Sequence, residues 1–460
     1  MTEPSNIVIV SNRLPVHRVK EGGKSGWRTS PGGLVSALTP ILKDRTSTWI
    51  GWAGSAGTAP KPFTHDGIRN IPVRISKNEL TAYYDGFSNG TLWPLYHDAI
   101  RTPAYHREWW EPYVTVNRRF AEAAAEAVAP GGLVWVQDYH LQLVPAMIRE
   151  IKPDVRVGFF LHIPFPPREL FAQLPWRREV LEGVLGSDVI GFQTAQGADN
   201  FCELCRRFAG VGGRGGRLTV GDRTARASAF PISIDHQKFE HLGASEDVNR
   251  RAEEFRSRLG SRRRIILGVD RLDYTKGIDT RLRAFQELLR SGRWTTADCV
   301  FVQVAVPSRE RVEQYKEMRS HIEEIIGQIN GEFGELGRTP VHYLHRSLPV
   351  EELTALYRAA DVMVVTPFRD GMNLVAKEYI ATRLDDTGVL VLSEFTGAAS
   401  ELTQALLINP HDINGLERTL DEALRMEPRE QRRRMKALRK TVKSHSVYDW
   451  ARDFFGALGA

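Results

Sequence analysis

Short, continuous, β-branched runs alternate with helical patterns along almost the whole chain, and this alternation limits the accessible folds more than any other feature. The strand candidates are Ile7–Ser11, Thr48–Trp52, Leu133–Gln137, Val157–Leu161 and Val189–Phe192, followed after a gap by Ile265–Val269, Val300–Val304, Val362–Thr366 and Val389–Leu392. Runs that stay apolar at successive positions suit strands buried on both faces. Helical patterns separate them: Tyr105–Val128 with its alanine-rich Ala121–Ala127, Ala195–Arg207, Ile278–Arg290 and Arg309–Gly327. Such alternation implies parallel sheets wound by right-handed crossovers. It breaks over residues 209–262, where a Gly- and Arg-rich stretch, a β-like segment (Leu218–Ala229), the turn Phe230–Asp235 and a polar helix (Glu246–Leu259) intervene. The expected fold is therefore α/β, with two Rossmann-like doubly wound parallel-sheet domains, residues 1–235 and 236–446. They should face a cleft, since ligands bind at the carboxyl ends of parallel strands.

Length and composition agree. At roughly 150 residues per domain, 460 residues make two large α/β domains or three smaller units. A hydrophobic share of 42% with 26% charged residues excludes wholesale disorder, collagen and a multi-pass membrane protein. No apolar run reaches the roughly 18 residues of a membrane span. The opening Met1–Ser5 lacks the basic and apolar regions of a signal peptide, so a cytoplasmic protein is expected. Three cysteines, Cys202, Cys205 and Cys299, are too few and of the wrong parity for a disulfide framework. The net charge of +6 is small, but Arg, the residue that forks onto phosphates, dominates the cations. Anionic small molecules are the expected partners; nucleic acid and membrane are not.

Several motifs are decoys. Gly210-Val211-Gly212-Gly213-Arg214-Gly215 fits G-x-G-x-x-G, but it follows a helix and precedes a strand, the reverse of a dinucleotide fingerprint. Gly23-Lys24-Ser25 would need a glycine at position 18, which is Arg18. Cys202 and Cys205 sit in a helical pattern with no second pair for zinc. The chain contains no Asp-x-Asp, so no metal clamp on a diphosphate is signalled and no cofactor is implied.

The chemistry-bearing clusters stand at strand ends. Ser11-Asn12-Arg13-Leu14-Pro15 leads through a long loop to Pro31-Gly32-Gly33-Leu34, where glycines at a helix start can expose N–H groups to a phosphate or simply make a tight turn. Asp138, after the strand Leu133–Val136, reads as a cleft-facing carboxylate or as the N-cap of a helix at Leu141. His162 ends the next strand before a proline-rich stop, and reads as a core histidine or a cleft residue. Arg271 and Lys276 flank a strand-to-helix turn, where two cations and a helix dipole can neutralise a diphosphate without metal. In Thr366–Glu378, the N–H groups of Gly371, Met372 and Asn373 open a helix, Asp370 and Asn373 suit sugar hydroxyls, and Glu378 can accept both hydroxyls of a ribose diol.

Together the strings VSNRLP, GGL, YYDGFSNGTLWP, WVQDYHLQLVP, GFFLHIPFP, GVDRLDYTKG, VTPFRDGMNLVAKEY and VLSEFTGAASEL, spread from Ile7 to Pro410, resemble the trehalose-6-phosphate synthase family of retaining glycosyltransferases. That resemblance implies the glycosyltransferase-B fold and a C-terminal helix, within residues 447–460, that packs back on the N-terminal domain. It implies an acceptor phosphate site of Arg13, Tyr84, Trp93 and Arg309, with Asp138 at the acceptor's hydroxyls. The donor diphosphate would lie on Gly32 or Gly33, Arg271 and Lys276. The donor glucose would meet His162, Asp370 and the backbone of Gly371, Met372, Asn373, Leu374 and Val375. The ribose would meet Glu378, and the base the loop Leu344–Leu348, including Leu348. The implied substrates are UDP- or GDP-glucose and glucose 6-phosphate, with Asp138, His162, Arg271, Lys276 and Asp370 closest to the chemistry; a homo-oligomer is compatible with the sequence. A family transferase with another acceptor, such as a pseudo-glycosyltransferase or a glucosylglycerol-phosphate synthase, is the nearest alternative. A catalytically silent sugar-phosphate sensor is a second; none of Arg13, Arg271, Lys276 and Glu378 is lost, which weighs against it.

Overall fold

The computed structural model describes residues 4–21, 24–30, 35, 38, 39, 42, 47–309 and 311–459. By its internal contacts the chain divides into two units, Met1–Ile232 with Val447–Ala460, and Ser233–Ser446. The strands, in chain order, are β1 (Ser5–Arg13), β2 (Val16–Glu21), β3 (Lys24–Thr29), β4 (Ser47–Trp52), β5 (Phe63–His65), β6 (Ile68–Pro72), β7 (Val128–Gln137), β8 (Arg156–Phe160), β9 (Val189–Phe192), β10 (Arg217–Val220) and β11 (Arg223–Ala229) in the first unit. The second unit holds β12 (Arg264–Arg271), β13 (Cys299–Val306), β14 (Val341–Leu344), β15 (Val362–Val365), β16 (Val389–Ser393) and β17 (Leu406–Ile408).

The first unit is built on a nine-stranded sheet in the order β10-β11-β9-β8-β7-β1-β4-β6-β5. The run from β11 to β6 is parallel, and only the edge hairpins β10–β11 and β5–β6 are antiparallel. The chain winds outward from β1 to β4 and β6, then returns to β7 and winds the other way. The topological switch point therefore lies between β1 and β7, where a crevice opens at the carboxyl ends. The helix Val447–Leu458 completes this unit: Trp135 on β7 stacks on Phe454 at 4.3 Å and meets Trp450 at 5.1 Å. Glycine is required beneath it, because a Cβ at Gly158 or Gly191 would stand 2.7 or 2.8 Å from the Phe454 ring. Trp450 Nε1 donates to the Phe230 carbonyl at 3.1 Å and ties the helix to the last residues of the unit.

The second unit has one all-parallel sheet in the order β14-β13-β12-β15-β16-β17. This is the Rossmann order 3-2-1-4-5-6, with its switch point between β12 and β15. The fold is α/β with parallel sheets throughout its centre, as the alternation demands.

Several local expectations fail. The stretch after Pro15, read as a loop, contains the antiparallel hairpin β2–β3, in which Val16 pairs with Thr29. The helix expected over Arg309–Gly327 runs instead over Glu313–Phe333, because Arg309 adopts φ +47°, incompatible with a helix. The decoys resolve structurally. Gly210–Gly215 lies between a π-helical turn, Cys205–Ala209, and β10, and Cys202 and Cys205 are free, buried thiols. Arg263 is buried and donates to the carbonyls of Cys299, Leu259 and Thr339, while Arg433 and Arg434 both pair with Glu430 on one helix.

Candidate active site

In the first unit the switch point presents the ends of β1 and β7. Ser11 Oγ accepts from Trp49 Nε1 (2.8 Å) and donates to the Arg13 carbonyl (2.6 Å), which shapes the end of β1. The exposed Arg13 lays its guanidinium 4.5 Å from the centre of the Trp52 ring, a cation–π contact that orients the charge without neutralising it. Gly54, at φ +93°, keeps that place open, since a Cβ there would lie 2.6 Å from Arg13 Nη1. Tyr84 stands on the π-helical segment Leu80–Leu92, stacked on His140 at 5.7 Å and 6.4 Å from Trp52. Arg13, Trp52, Tyr84 and His140 thus form one cationic and aromatic wall. Trp93 is nearly fully buried behind it, against Tyr139 (5.6 Å) and His97 (4.2 Å). Sequence reasoning left out Trp52 and His140, whose signals were the GWAG string at the end of β4 and the QDYH string at the end of β7.

Asp138 stands at the N-cap position of the short 3-10 turn Tyr139–Leu141, but its side chain makes no capping hydrogen bond there. Its φ of +72° is rare for a residue with a side chain. Its amide donates to the Phe160 carbonyl (2.7 Å) and its Oδ1 accepts from the His162 amide (3.2 Å), which locks the ends of β7 and β8 together. The His162 ring bonds through Nε2 to Gln137 Oε1 at 2.9 Å. Desolvation lowers its pKa to about 3, so the ring is neutral near pH 7 and can donate or accept hydrogen bonds but not carry charge.

In the second unit the loops after β12 and β15 meet. Asp273 accepts from the Thr275 amide (3.0 Å) and hydroxyl (2.9 Å), closing the turn that delivers Lys276. Gly277, at φ +58°, then opens the helix Ile278–Arg290. Lys276 Nζ lies 2.7 Å from Asp370 Oδ2, and Asn373 Nδ2 donates to the same oxygen at 3.2 Å. Asn373 holds φ +104° and caps the helix Leu374–Thr382 by accepting from Ala376 N (3.1 Å). Leu374 and Val375 supply first-turn N–H groups, which have no intrahelical acceptor and can bind an anion. The FTGAAS segment braces this loop. Gly397 N donates to the Asp370 carbonyl (3.2 Å) and Ala398 N to that of Met372 (3.1 Å), and a Cβ at Gly397 would stand 2.0 Å from the Gly371 oxygen. Glu378 accepts from the Tyr357 hydroxyl at 3.0 Å, and burial raises its pKa. Beside it Lys377, buried and absent from the sequence-based set, pairs with Glu401 at 2.9 Å. Leu348 is half-buried in the loop between β14 and the helix Val350–Ala359, and Arg271 is exposed at the end of β12.

Arg309, expected with Arg13, Tyr84 and Trp93 at the acceptor phosphate, lies in the second unit, where it pairs with Asp273 at 2.6 Å and contacts the Tyr315 hydroxyl. Burial alone would raise the Asp273 pKa, yet the charges of Arg309, Arg271 and Lys276 hold it well below the usual carboxylate range. Gly32 and Gly33 lie outside the described residues. Among the described residues no group of three or more His, Cys, Asp or Glu side chains is placed to hold a metal ion, and no helix is long and apolar enough to cross a membrane.

Known proteins share this arrangement along its whole length. The chain is 55% identical over 466 residues to a trehalose-6-phosphate synthase of Mycolicibacterium smegmatis, covering 99% of this chain and 93% of that one. It is 54% identical over 468 residues to one of Mycobacterium avium, covering 99% and 95%. Among solved structures, a Burkholderia xenovorans alpha,alpha-trehalose-phosphate synthase (UDP-forming) in complex with glucose-6-phosphate superposes with a TM-score of 0.91 at 34% identity, over 99% and 100% of the two chains. An Escherichia coli protein bound with UDP-2-fluoro glucose superposes with a TM-score of 0.91 at 33% identity, over 98% of each. These likenesses carry the glycosyltransferase-B architecture. The profile of glycosyltransferase family 20 spans residues 5–460, and with relatives above half identity over nearly all of both sequences, the chain belongs to that family.

Proposed function

We propose that the protein transfers glucose from a nucleotide-glucose, UDP-glucose first and GDP-glucose second, to glucose 6-phosphate, with retention, to give α,α-trehalose 6-phosphate. The observation that carries this reading is the Lys276–Asp370 pair at the switch point of the second unit, 2.7 Å apart and flanked by helix N-termini. A buried cation beside a sugar-binding carboxylate suits a substrate that joins a diphosphate to a hexose. The relatives' glucose-6-phosphate and UDP-glucose analogue complexes support the same two substrates.

In this reading Arg13 and Tyr84 take the acceptor phosphate, Arg271 and Lys276 the donor diphosphate, and Glu378 the ribose. Asp370 takes glucose hydroxyls; with one oxygen already accepting from Lys276 and Asn373, it is a poor nucleophile. A covalent route would need a free carboxylate on the opposite face of the sugar. The acceptor hydroxyl therefore attacks C1 on the face the diphosphate is leaving. The C1–O bond breaks with its electron pair passing to the phosphate oxygen, the new C1–O bond forms, and the acceptor proton passes to that same oxygen. Arg271 and Lys276 stabilise the growing charge. The neutral His162 contributes a hydrogen bond to glucose rather than a proton.

The test is direct. Purified protein is given glucose 6-phosphate with each nucleotide-glucose in turn, and released nucleotide and disaccharide phosphate are measured, with anomeric configuration read by proton NMR. An α,α-linked product is expected, fastest with UDP-glucose. No product with any donor would overturn the reading.

A further inference from the structure

The second unit contains a buried ion pair that the chemistry above leaves unused. Arg281, on the helix Ile278–Arg290, has a fully buried side chain, and its Nη1 lies 2.7 Å from Oδ2 of Asp270, which is 3% exposed. Removing two charges from water is costly, and apolar residues of the same volume often serve stability as well. The remaining donors of the guanidinium give the pair a purpose. Nη2 donates to the Lys276 carbonyl at 2.9 Å, and Nε donates to Thr366 Oγ1 at 2.8 Å. Thr366 Oγ1 in turn donates to the Gly277 carbonyl at 2.9 Å. One side chain thereby joins the end of β12, the turn carrying Lys276 and the end of β15. The surrounding glycines leave room for it. A Cβ at Gly268 would lie 2.6 Å from Arg281 Nη1, and one at Gly277 would lie 2.3 Å from the Thr366 carbonyl oxygen. β12 and β15 are hydrogen-bonded neighbours on either side of the switch point, and their loops deliver Lys276 and Asp370 to one another.

We propose that Arg281, with Asp270 and Thr366, is a positioning residue that fixes the spacing of the Lys276 and Asp370 loops and so aligns the donor's diphosphate with its sugar. This rests on the reading that those loops take a nucleotide-glucose. Arg281 touches no substrate; it acts through the backbone of Lys276 and Gly277 and the side chain of Thr366. A reacting geometry displaced by about 1 Å loses roughly a hundredfold in rate, so a network that holds two loops in register shows in turnover before it shows in acceptor binding.

The experiment compares the parent with Arg281→Met, Arg281→Lys and Thr366→Val at a temperature well below each melting point. Arg281→Met should lower kcat about 10- to 100-fold with the KM for glucose 6-phosphate within about twofold of the parent, and Arg281→Lys should recover part of the loss. Thr366→Val keeps shape and ion pair but loses the hydroxyl link, and should lower kcat about 3- to 10-fold. Variants that melt earlier yet turn over within twofold of the parent would show a merely structural network and overturn the proposal. If the Arg281 variants do not fold, Thr366→Val decides by the same criterion. If the parent itself makes no disaccharide phosphate, the functional reading fails separately. UDP affinity by calorimetry then decides this proposal, with equal affinity in the parent and Thr366→Val counting against it.

Discussion

Lys276 is only 9% exposed, and Asp370 lies 2.7 Å from its Nζ. In the proposed reading, a donor diphosphate arriving beside it finds a cation already desolvated, which strengthens the attraction most where charge grows in the transition state. Lys276→Ala should therefore lower kcat by about 100- to 1,000-fold, and Arg271→Ala should cause a comparable loss, in steady-state assays on variants of native circular dichroism. Near-parental turnover in both would sink the assignment. His162 makes a second residue-scale prediction. Its folded pKa of about 3 lies below the ordinary histidine value of 6.5, so the unfolded chain binds its proton first as pH falls. The contribution to stability is full above about pH 6.5 and declines as pH drops toward 3, by up to about 1.4 kcal/mol per pH unit. His162→Gln should flatten the fall in urea-measured stability between about pH 6.5 and 5, where few carboxylates titrate. An unchanged slope in the variant would show that the ring is not the group responsible.

The first unit depends on a helix far away in sequence. Gly158 on β8 and Gly191 on β9 admit the Phe454 ring, which stacks on Trp135. Gly158→Ala should displace Phe454 and Leu458 and lower stability by about 1–3 kcal/mol, seen as an earlier thermal unfolding transition. A variant that melts with the parent would show that the helix is not held at this point. This contact also marks what the sequence could tell. The central strands, apolar at consecutive positions, were legible because burial on both faces leaves no other solution. The short edge elements were not. β5 and β17 have three residues each, and β2 mixes Val16 and Val19 with His17, Arg18 and Lys20, a pattern shared by many loops. Of the site, the strand-end strings were legible because strand-to-helix turns concentrate glycine, Asp and cations. Arg309's bond to Asp273 was not, because a positive φ and a partner 36 residues away leave no periodic trace. The aromatic wall beside Arg13 escaped for the same reason, since Trp52 and His140 reach Tyr84 only through the fold.

At the scale of the molecule, a net charge of +6 includes cations at two switch points. Arg13 stands at the β1–β7 switch point of one unit, Arg271 and Lys276 at the β12–β15 switch point of the other. If each switch point serves one substrate, the two binding energies should be separable by mutation. Arg13→Ala should raise the KM for glucose 6-phosphate by about tenfold or more, since it removes a charge-assisted contact to a dianion, while UDP affinity by calorimetry stays within about twofold. Lys276→Ala should do the reverse, weakening UDP binding and leaving glucose 6-phosphate affinity nearly unchanged. The same division bears on metal. With side-chain cations at the diphosphate, turnover should survive excess EDTA; a loss restored by added magnesium would mean that Arg271 and Lys276 do not suffice. The separation has a sharper consequence in a double variant. Residues with no shared partner act additively, so the losses in free energy of Arg13→Ala and Lys276→Ala should sum for binding, each substrate measured alone. Turnover should not obey that rule, because transfer requires both substrates at once. A double variant whose binding losses are strongly non-additive would place the two phosphates in one shared site and overturn the division into two.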